Sequence, residues 1–191
     1  CSLDADGNFT AANCIDVDKP EWNLLAAVTV SKNKLYVTSQ EGGVDNNGFV
    51  SICSLDADGN FTPVDDCIDV DKPEWIFPDG VTVLNNKLYV ASEEGGTNPN
   101  PGFISICSLD ADGNFTAVDC NDVDKPEWDL LAGITVSNNK LYITSLNGGD
   151  ESISGFVSIC SLDADGNFTP VDDCIDVDKS QWNAPAGIAI E

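Results

Sequence analysis

From position 80 to 123, apolar and polar residues form four short runs separated by turn chemistry. Residues 80–84 (GVTVL) are β-rich, and after Asn85-Asn86 the run 87–92 (KLYVAS) alternates as a half-buried strand does. A loop rich in Gly, Asn and Pro (93–102) leads to a third run at 103–109 (FISICSL). Asp-Ala-Asp-Gly-Asn (110–114) is turn chemistry, and 115–123 (FTAVDCNDV) is expected to return as a fourth strand. No segment of useful length carries helical periodicity with caps. The pattern predicts an antiparallel, all-β chain.

The pattern recurs. The decapeptide CSLDADGNFT starts at Cys1, Cys53, Cys107 and Cys160, at spacings of 52, 54 and 53 residues, and residues 53–72 are identical to 160–179. Four short strands in a unit of about 53 residues fit a β-propeller blade better than a solenoid rung, blades being about 40–50 residues long. The expected architecture is a single repeat domain over 1–191, a β-propeller of four near-identical four-stranded units. Their bounds are 1–52, 53–106, 107–159 and 160–191, the last incomplete. Aligning Glu191 with Leu84 leaves the fourth unit short of the stretch matching 85–105, about 21 residues. The chain is therefore read as a mature form or a piece of a longer repeat protein, or as a unit whose gap a neighbouring chain fills. Exposed strand edges invite such pairing.

KLYVTS (34–39), KLYVAS (87–92) and KLYITS (140–145), each preceded by a GVTV-like strand and followed by GFVSI or GFISI, resemble the YVTN-type β-propeller repeat, a family related to lactonase-type propellers. The resemblance implies a propeller fold and a cell-surface or secreted setting, and no particular chemistry. The added Cys-bounded hairpin departs from the short repeat of that family and is closer to secreted propeller repeats.

Composition narrows the function classes. The chain has 33 acidic residues against 8 lysines and no arginine, histidine or methionine, for a net charge of −25. Such a surface repels phosphate backbones and anionic membranes, so neither nucleic acid nor membrane insertion is expected. Without histidine there is no imidazole triad, ligand or pH switch.

The eight cysteines form four local pairs, Cys1–Cys14, Cys53–Cys67, Cys107–Cys120 and Cys160–Cys174, each flanking the Asp-Ala-Asp-Gly-Asn turn. Adjacent antiparallel strands bring such pairs within disulfide range, whereas zinc would need cysteines to converge from different units without any CxxC spacing. The one-residue difference in pair separation, 13 or 14, predicts a bulge in the outer strand. Cys1 matches the repeat cysteines and is read as the partner of Cys14 rather than as a lipidated terminus. Four disulfides point to an oxidising compartment, so the protein is expected to be secreted or cell-surface displayed.

Four sequons, at Asn8, Asn60, Asn114 and Asn167, sit at the same turns and are read as N-glycosylation positions. The carboxylate pairs Asp4/Asp6, Asp56/Asp58, Asp110/Asp112 and Asp163/Asp165 suit a hard cation such as Ca²⁺ in type, but lack the ligand spacing of an EF-hand; turn capping is the plainer role. No cofactor is required on this reading; Ca²⁺ is the one considered. Trp22, Trp75, Trp128 and Trp182 follow Asp-x-Asp-Lys at each crossing between units. They are read either as a ring that stacks on sugars or as packing between units. Phe49, Phe103 and Phe156 read as core. The loops after the second strands differ among units and carry Glu41, Glu93, Glu94, Asp150 and Glu151, with nothing in sequence to single out an acid/base pair.

The composite expectation is a non-enzymatic, secreted or surface structural or interaction scaffold that self-associates or meets an extracellular glycan or protein. A glycan- or Ca²⁺-binding lectin-like propeller is the first alternative, and a lactonase- or glycosidase-like hydrolase the second.

Overall fold

The structure is a computed structural model and describes residues 16–61, 63, 66–96, 102–147, 155–179, 182 and 184–190. These form three four-stranded antiparallel sheets, each a simple meander. The first sheet holds β1 (Asn23–Ser31), β2 (Lys34–Glu41), β3 (Phe49–Ser54) and β4 (Ile68–Asp71). The second holds β5 (Ile76–Leu84), β6 (Lys87–Glu94), β7 (Phe103–Ser108) and β8 (Cys120–Asp124). The third holds β9 (Asp129–Ser137), β10 (Lys140–Asn147), β11 (Phe156–Ser161) and β12 (Ile175–Asp178).

Local chemistry explains the shape of each sheet. The first hairpin of every sheet closes on two residues, Lys32-Asn33, Asn85-Asn86 or Asn138-Asn139, all with φ between 48° and 60°. Two successive left-handed residues match the right-handed twist of the strands, and asparagine tolerates that region better than most side chains. Each first strand also bulges near its start, between Leu25 and Val28 in β1 and between Pro78 and Gly80 in β5. Leu24, Phe77 and Leu130 take positive φ there. Side chains of the second strand stitch the bulge: Thr38 Oγ1 accepts the Ala27 N–H at 2.9 Å and Ser39 Oγ accepts that of Asn23 at 3.0 Å. Thr144 and Ser145 do the same for Gly133 and Asp129.

The core lies between sheets. Tyr36, Val50 and Ile52 of the first sheet pack on Val81, Leu88 and Val90 of the second. Tyr89, Ile104 and Ile106 of the second pack on Ile134, Leu141 and Ile143 of the third. The second strand thus serves both interfaces, because successive side chains point to opposite faces. First strands lie next to first strands. A Cβ on Gly80 would sit 2.6 Å from the Ala132 carbonyl oxygen, and one on Gly133 3.0 Å from that of Ala186, so glycine is what admits the next strand.

One expectation holds in its coarser part and two need correction. The all-β, antiparallel expectation holds as three four-stranded sheets, and among the described residues no closed ring is seen. Beyond β12, residues 184–190 run beside β9 with no ladder partner among the described residues. Ala184 has φ 50°, matching Leu24, Phe77 and Leu130, so the segment starts on the path of a first strand. The fourth strand is also shorter than 115–123. Residues Ala117–Asp119 form a 3-10 turn, and the ladder starts at Cys120. Thr116 and Asp119 form a reciprocal capping box there, so polar side chains take the backbone out of the sheet. The extra residue of the 14-residue pairs is absorbed before the strand rather than as a bulge within it: β12 starts at Ile175, just after Cys174, while β8 includes Cys120.

Candidate functional site

At each crossing into a sheet, four side chains from three parts of a unit form one connected latch. Lys72 lies in the segment between β4 and β5. Its buried ammonium pairs with Asp122 on β8 and, at 3.1 Å, with Glu74. Asp122 Oδ1 accepts the Ser105 hydroxyl at 2.6 Å, and Ser105 Oγ accepts the Trp75 indole N–H at 2.8 Å. The same set recurs as Lys19, Asp69, Ser51 and Trp22, and as Lys125, Asp176, Ser158 and Trp128. The ammonium also stands over an aromatic ring, 5.6 Å from the Phe103 centroid and 5.9 Å for Lys19 over Phe49. A lysine is rarely this buried unless paired; here the ion pair and the ring hold the charge, and the serine hydroxyl braces the aspartate. The latch bolts the crossing segment onto the outermost strand of the sheet it enters.

A second contact joins one sheet to the next. The Tyr36 hydroxyl donates to the Gly113 carbonyl at 2.7 Å, and Tyr89 to that of Gly166 at 2.6 Å. Burial, and then the neighbouring Asp110 or Asp163 carboxylate, pushes both phenols up to about 12, so they remain donors across the physiological range. The receiving loop is the Asp-Ala-Asp-Gly-Asn turn, with Gly113 and Gly166 at φ 82° and 79°.

That turn is where the carboxylates Asp56, Asp110 and Asp163 act. Each accepts two backbone N–H groups, at 2.9 and 2.8 Å for Asp110 from Asp112 and Asn114. These bonds, led by that of the asparagine, hold the three carboxyls below the usual aspartate range. Asp58, Asp112 and Asp165 are exposed on the same loops. Among the described residues no group of three or more acidic or cysteine side chains is placed to hold a metal ion. Asp4, Asp6 and Asn8 lie outside the described residues. Of the other sequon asparagines, Asn60 and Asn167 are exposed and donate from Nδ2 to Asp56 and Asp163, while Asn114 is half-buried.

Three disulfides are present, Cys53–Cys67, Cys107–Cys120 and Cys160–Cys174; Cys1 and Cys14 lie outside the described residues. Trp75 and Trp128 are wholly buried and lean on Phe115 and Phe168, with ring centroids 6.4 and 6.1 Å apart. These two indoles offer no face to solvent. Trp22 and Trp182 are half-buried, the latter beneath the Lys179 ammonium at 5.4 Å. Phe49, Phe103 and Phe156 are core residues, as their spacing predicts. No protein-family model matches the chain, and no curated protein matches its sequence.

One acidic pair breaks the repeat, and sequence reasoning missed half of it. Asp79 stands in β5 where the other units have Ala26, Ala132 and Ala186. Its Oδ1 accepts the Gln40 amide from the first sheet at 2.8 Å. Burial raises the Asp79 carboxyl, and burial together with the charges of Asp79 and Glu94 raises that of Glu93. The lining-up of units shows Asp79 as an exception; its closeness to Glu93 depends on the hairpin register and the bulge. Glu41 is held by the Asn23 amide at 3.0 Å, and Asp150 and Glu151 lie outside the described residues.

A carboxyl raised in the folded state penalises folding wherever it is ionised. That penalty is relieved as pH falls through the folded value toward the unfolded one. Asp79→Ala, which restores the residue of the other units, is therefore expected to raise the unfolding temperature near pH 7 by roughly 2–4 °C. The gain should vanish as pH drops below the carboxylate range. Thermal melts of both proteins from pH 7 to about pH 3 check this, and a variant less stable than the parent at neutral pH would refute it.

Proposed function

We propose that this chain is a non-enzymatic structural or interaction scaffold, an array of disulfide-stapled propeller-type blades that works secreted or at a cell surface. The observation that carries the reading is the latch of lysine, aspartate, serine and tryptophan, repeated at three successive crossings with the same partners. Residues that a lectin-like ring would turn to a sugar are spent here on joining unit to unit. The disulfides add the usual signature of an oxidising compartment, and the net charge of −25 disfavours nucleic acid and anionic lipid as partners. Exposed Asn60 and Asn167 fit the glycoprotein reading on the same loops.

One observation favours a second reading. The pair Asp79 and Glu93 gives the second sheet an asymmetry that a hydrolase would need, with the higher-pKa carboxyl as acid. A single panel separates the two. Thermal melts and turnover assays are run with lactones, glycosides, a glycan array's sugars and Ca²⁺, on the parent and on Asp79→Ala. The scaffold reading expects no ligand to raise the unfolding temperature beyond a general salt effect, and no turnover. Turnover that Asp79→Ala abolishes would establish the hydrolase, and a saturable, sugar-specific rise in unfolding temperature would establish the lectin.

A further inference from the structure

Sheets this alike can pack in the wrong order, a characteristic failure of repeat chains. Most of what joins them does not say which sheet comes next. Val81, Leu88 and Val90 of the second sheet recur as Ile134, Leu141 and Ile143 of the third. The tyrosine hydroxyls of Tyr36 and Tyr89 reach the same glycine carbonyl of successive turns. Lys32 differs from the asparagines at its place in the other sheets, but its ammonium meets the Asp110 carbonyl at 3.1 Å, a backbone group that every such turn offers.

One contact is built from side chains that do not recur. At the position of Gln40 the later sheets carry Glu93 and Leu146, and at the position of Asp79 the other units carry Ala26, Ala132 and Ala186. Gln40 lies on the face of β2 that bears Tyr36 and packs on the second sheet, as Glu93 lies on the face of β6 that bears Tyr89 and Ala91 and packs on the third. The Gln40 amide donates to Asp79 Oδ1 at 2.8 Å, and both residues are half-buried between the two sheets.

We propose that the Gln40–Asp79 pair selects the first sheet as the neighbour of the second and rejects the other faces of the repeat. An ionised carboxylate can only accept, so Asp79 needs a donor across the interface. The face that carries Glu93 would bring a second carboxylate against it, and the face that carries Leu146 would leave it without a partner. Like charge opposes the first mismatch and desolvation the second. Ala132 makes no such demand on the face it meets. Fixing an arrangement through one polar pair, at a cost in stability, is the best-attested use of such groups. The rise in unfolding temperature expected for Asp79→Ala belongs to the same picture.

Each wrong neighbour can be copied by a single substitution and each permitted one by a double. Gln40→Leu sets the third sheet's side chain against Asp79, and Gln40→Glu sets the second sheet's there. Combined with Asp79→Ala, the same changes recreate leucine or glutamate opposite alanine. Guanidinium unfolding of the full, unreduced chain near neutral pH gives the folding constant of the parent and of each single and double variant. Gln40→Leu and Gln40→Glu are each expected to lower it about tenfold beside Asp79, and by less than about twofold beside alanine. The parent and Asp79→Ala are then refolded with disulfides intact over about a hundredfold range of concentration, and sedimentation compares each with its never-unfolded sample. The parent should return to its starting species. Asp79→Ala, although it melts higher, should return a mixture that grows with concentration. Equal losses in the two backgrounds overturn the proposal, because Gln40 then makes a local contact that discriminates nothing. Refolding of Asp79→Ala as clean as that of the parent also overturns it, because order is then set elsewhere. Neither measurement involves a ligand or a substrate, so these outcomes leave the scaffold reading to its own panel.

Discussion

Trp75→Ala is expected to destabilise the protein by about 3–5 kcal/mol, the usual loss for deleting a fully buried aromatic. For a chain of this length that corresponds to a fall in unfolding temperature on the order of 10 °C or more. The indole is wholly buried in the interface between the first two sheets, against Phe115 and the surrounding aliphatic cluster. Its removal leaves a cavity that two laddered sheets cannot collapse. Trp75→Phe separates packing from hydrogen bonding. It keeps most of the ring area and loses only the N–H bond to Ser105, so about 1 kcal/mol is expected. Trp22→Ala supplies the contrast, since Trp22 makes the same bond to Ser51 but is only half-buried. Its loss is expected to cost clearly less than that of Trp75. Equal effects for Trp22 and Trp75 would mean that Trp22 is covered in solution, and a small effect at Trp75 would refute its place in the core.

Removal of the Cys107–Cys120 bridge, by replacing both cysteines with alanine, is expected to cost about 3 kcal/mol, the figure for closing a loop of this length. The physical reason lies in what the fourth strand lacks. β4 and β12 begin with isoleucines, Ile68 and Ile175, that are largely exposed, so these edge strands bury little apolar area of their own. β8 is a strand of five residues, four of them paired with β7 besides the cysteine, at the edge of its sheet. Without the staple it should fray first, carrying Asp122 away from Lys72 and opening the latch. Hydrogen exchange is the decisive readout. Protection in Cys120–Asp124 should fall well before that of β5 to β7, with a fall of roughly 6–12 °C in unfolding temperature. Uniform loss of protection across the second sheet would show instead that the staple acts on the whole unit through the unfolded chain.

The sequence by itself determined the local features. Alternation and two-residue asparagine turns place the first three strands of each unit, because the period of two and the left-handed turn are properties of the chain over a few residues. Repetition carried that reading across the units, and the cysteine pairs flanking one turn announced three of the disulfides now seen. The start of the fourth strand was not legible, because the Thr116–Asp119 capping box competes with the ladder and wins by side-chain bonds that periodicity does not count.

Only the tertiary structure decided what the repeated polar residues do. Lys72 and Asp122 are 50 residues apart, and nothing local predicts that a crossing lysine will be buried on the edge strand of the following sheet. The role of the tryptophans turned on the same point. A Trp after Asp-x-Asp-Lys can face solvent or core: Trp22 and Trp75 make the same bond to a serine about 30 residues away, and only Trp75, packed in the cluster between the first two sheets, is wholly buried. Asp79 departs from the alanine of the other units, but its raised carboxyl comes from burial at the bulge of β5, which the hydrogen bond from Gln40 of the first sheet works against. The exposure of Val28, whose counterparts Val81 and Ile134 are buried, is likewise absent from any single unit's sequence. Equivalent residues become core or surface according to whether another sheet lies against them.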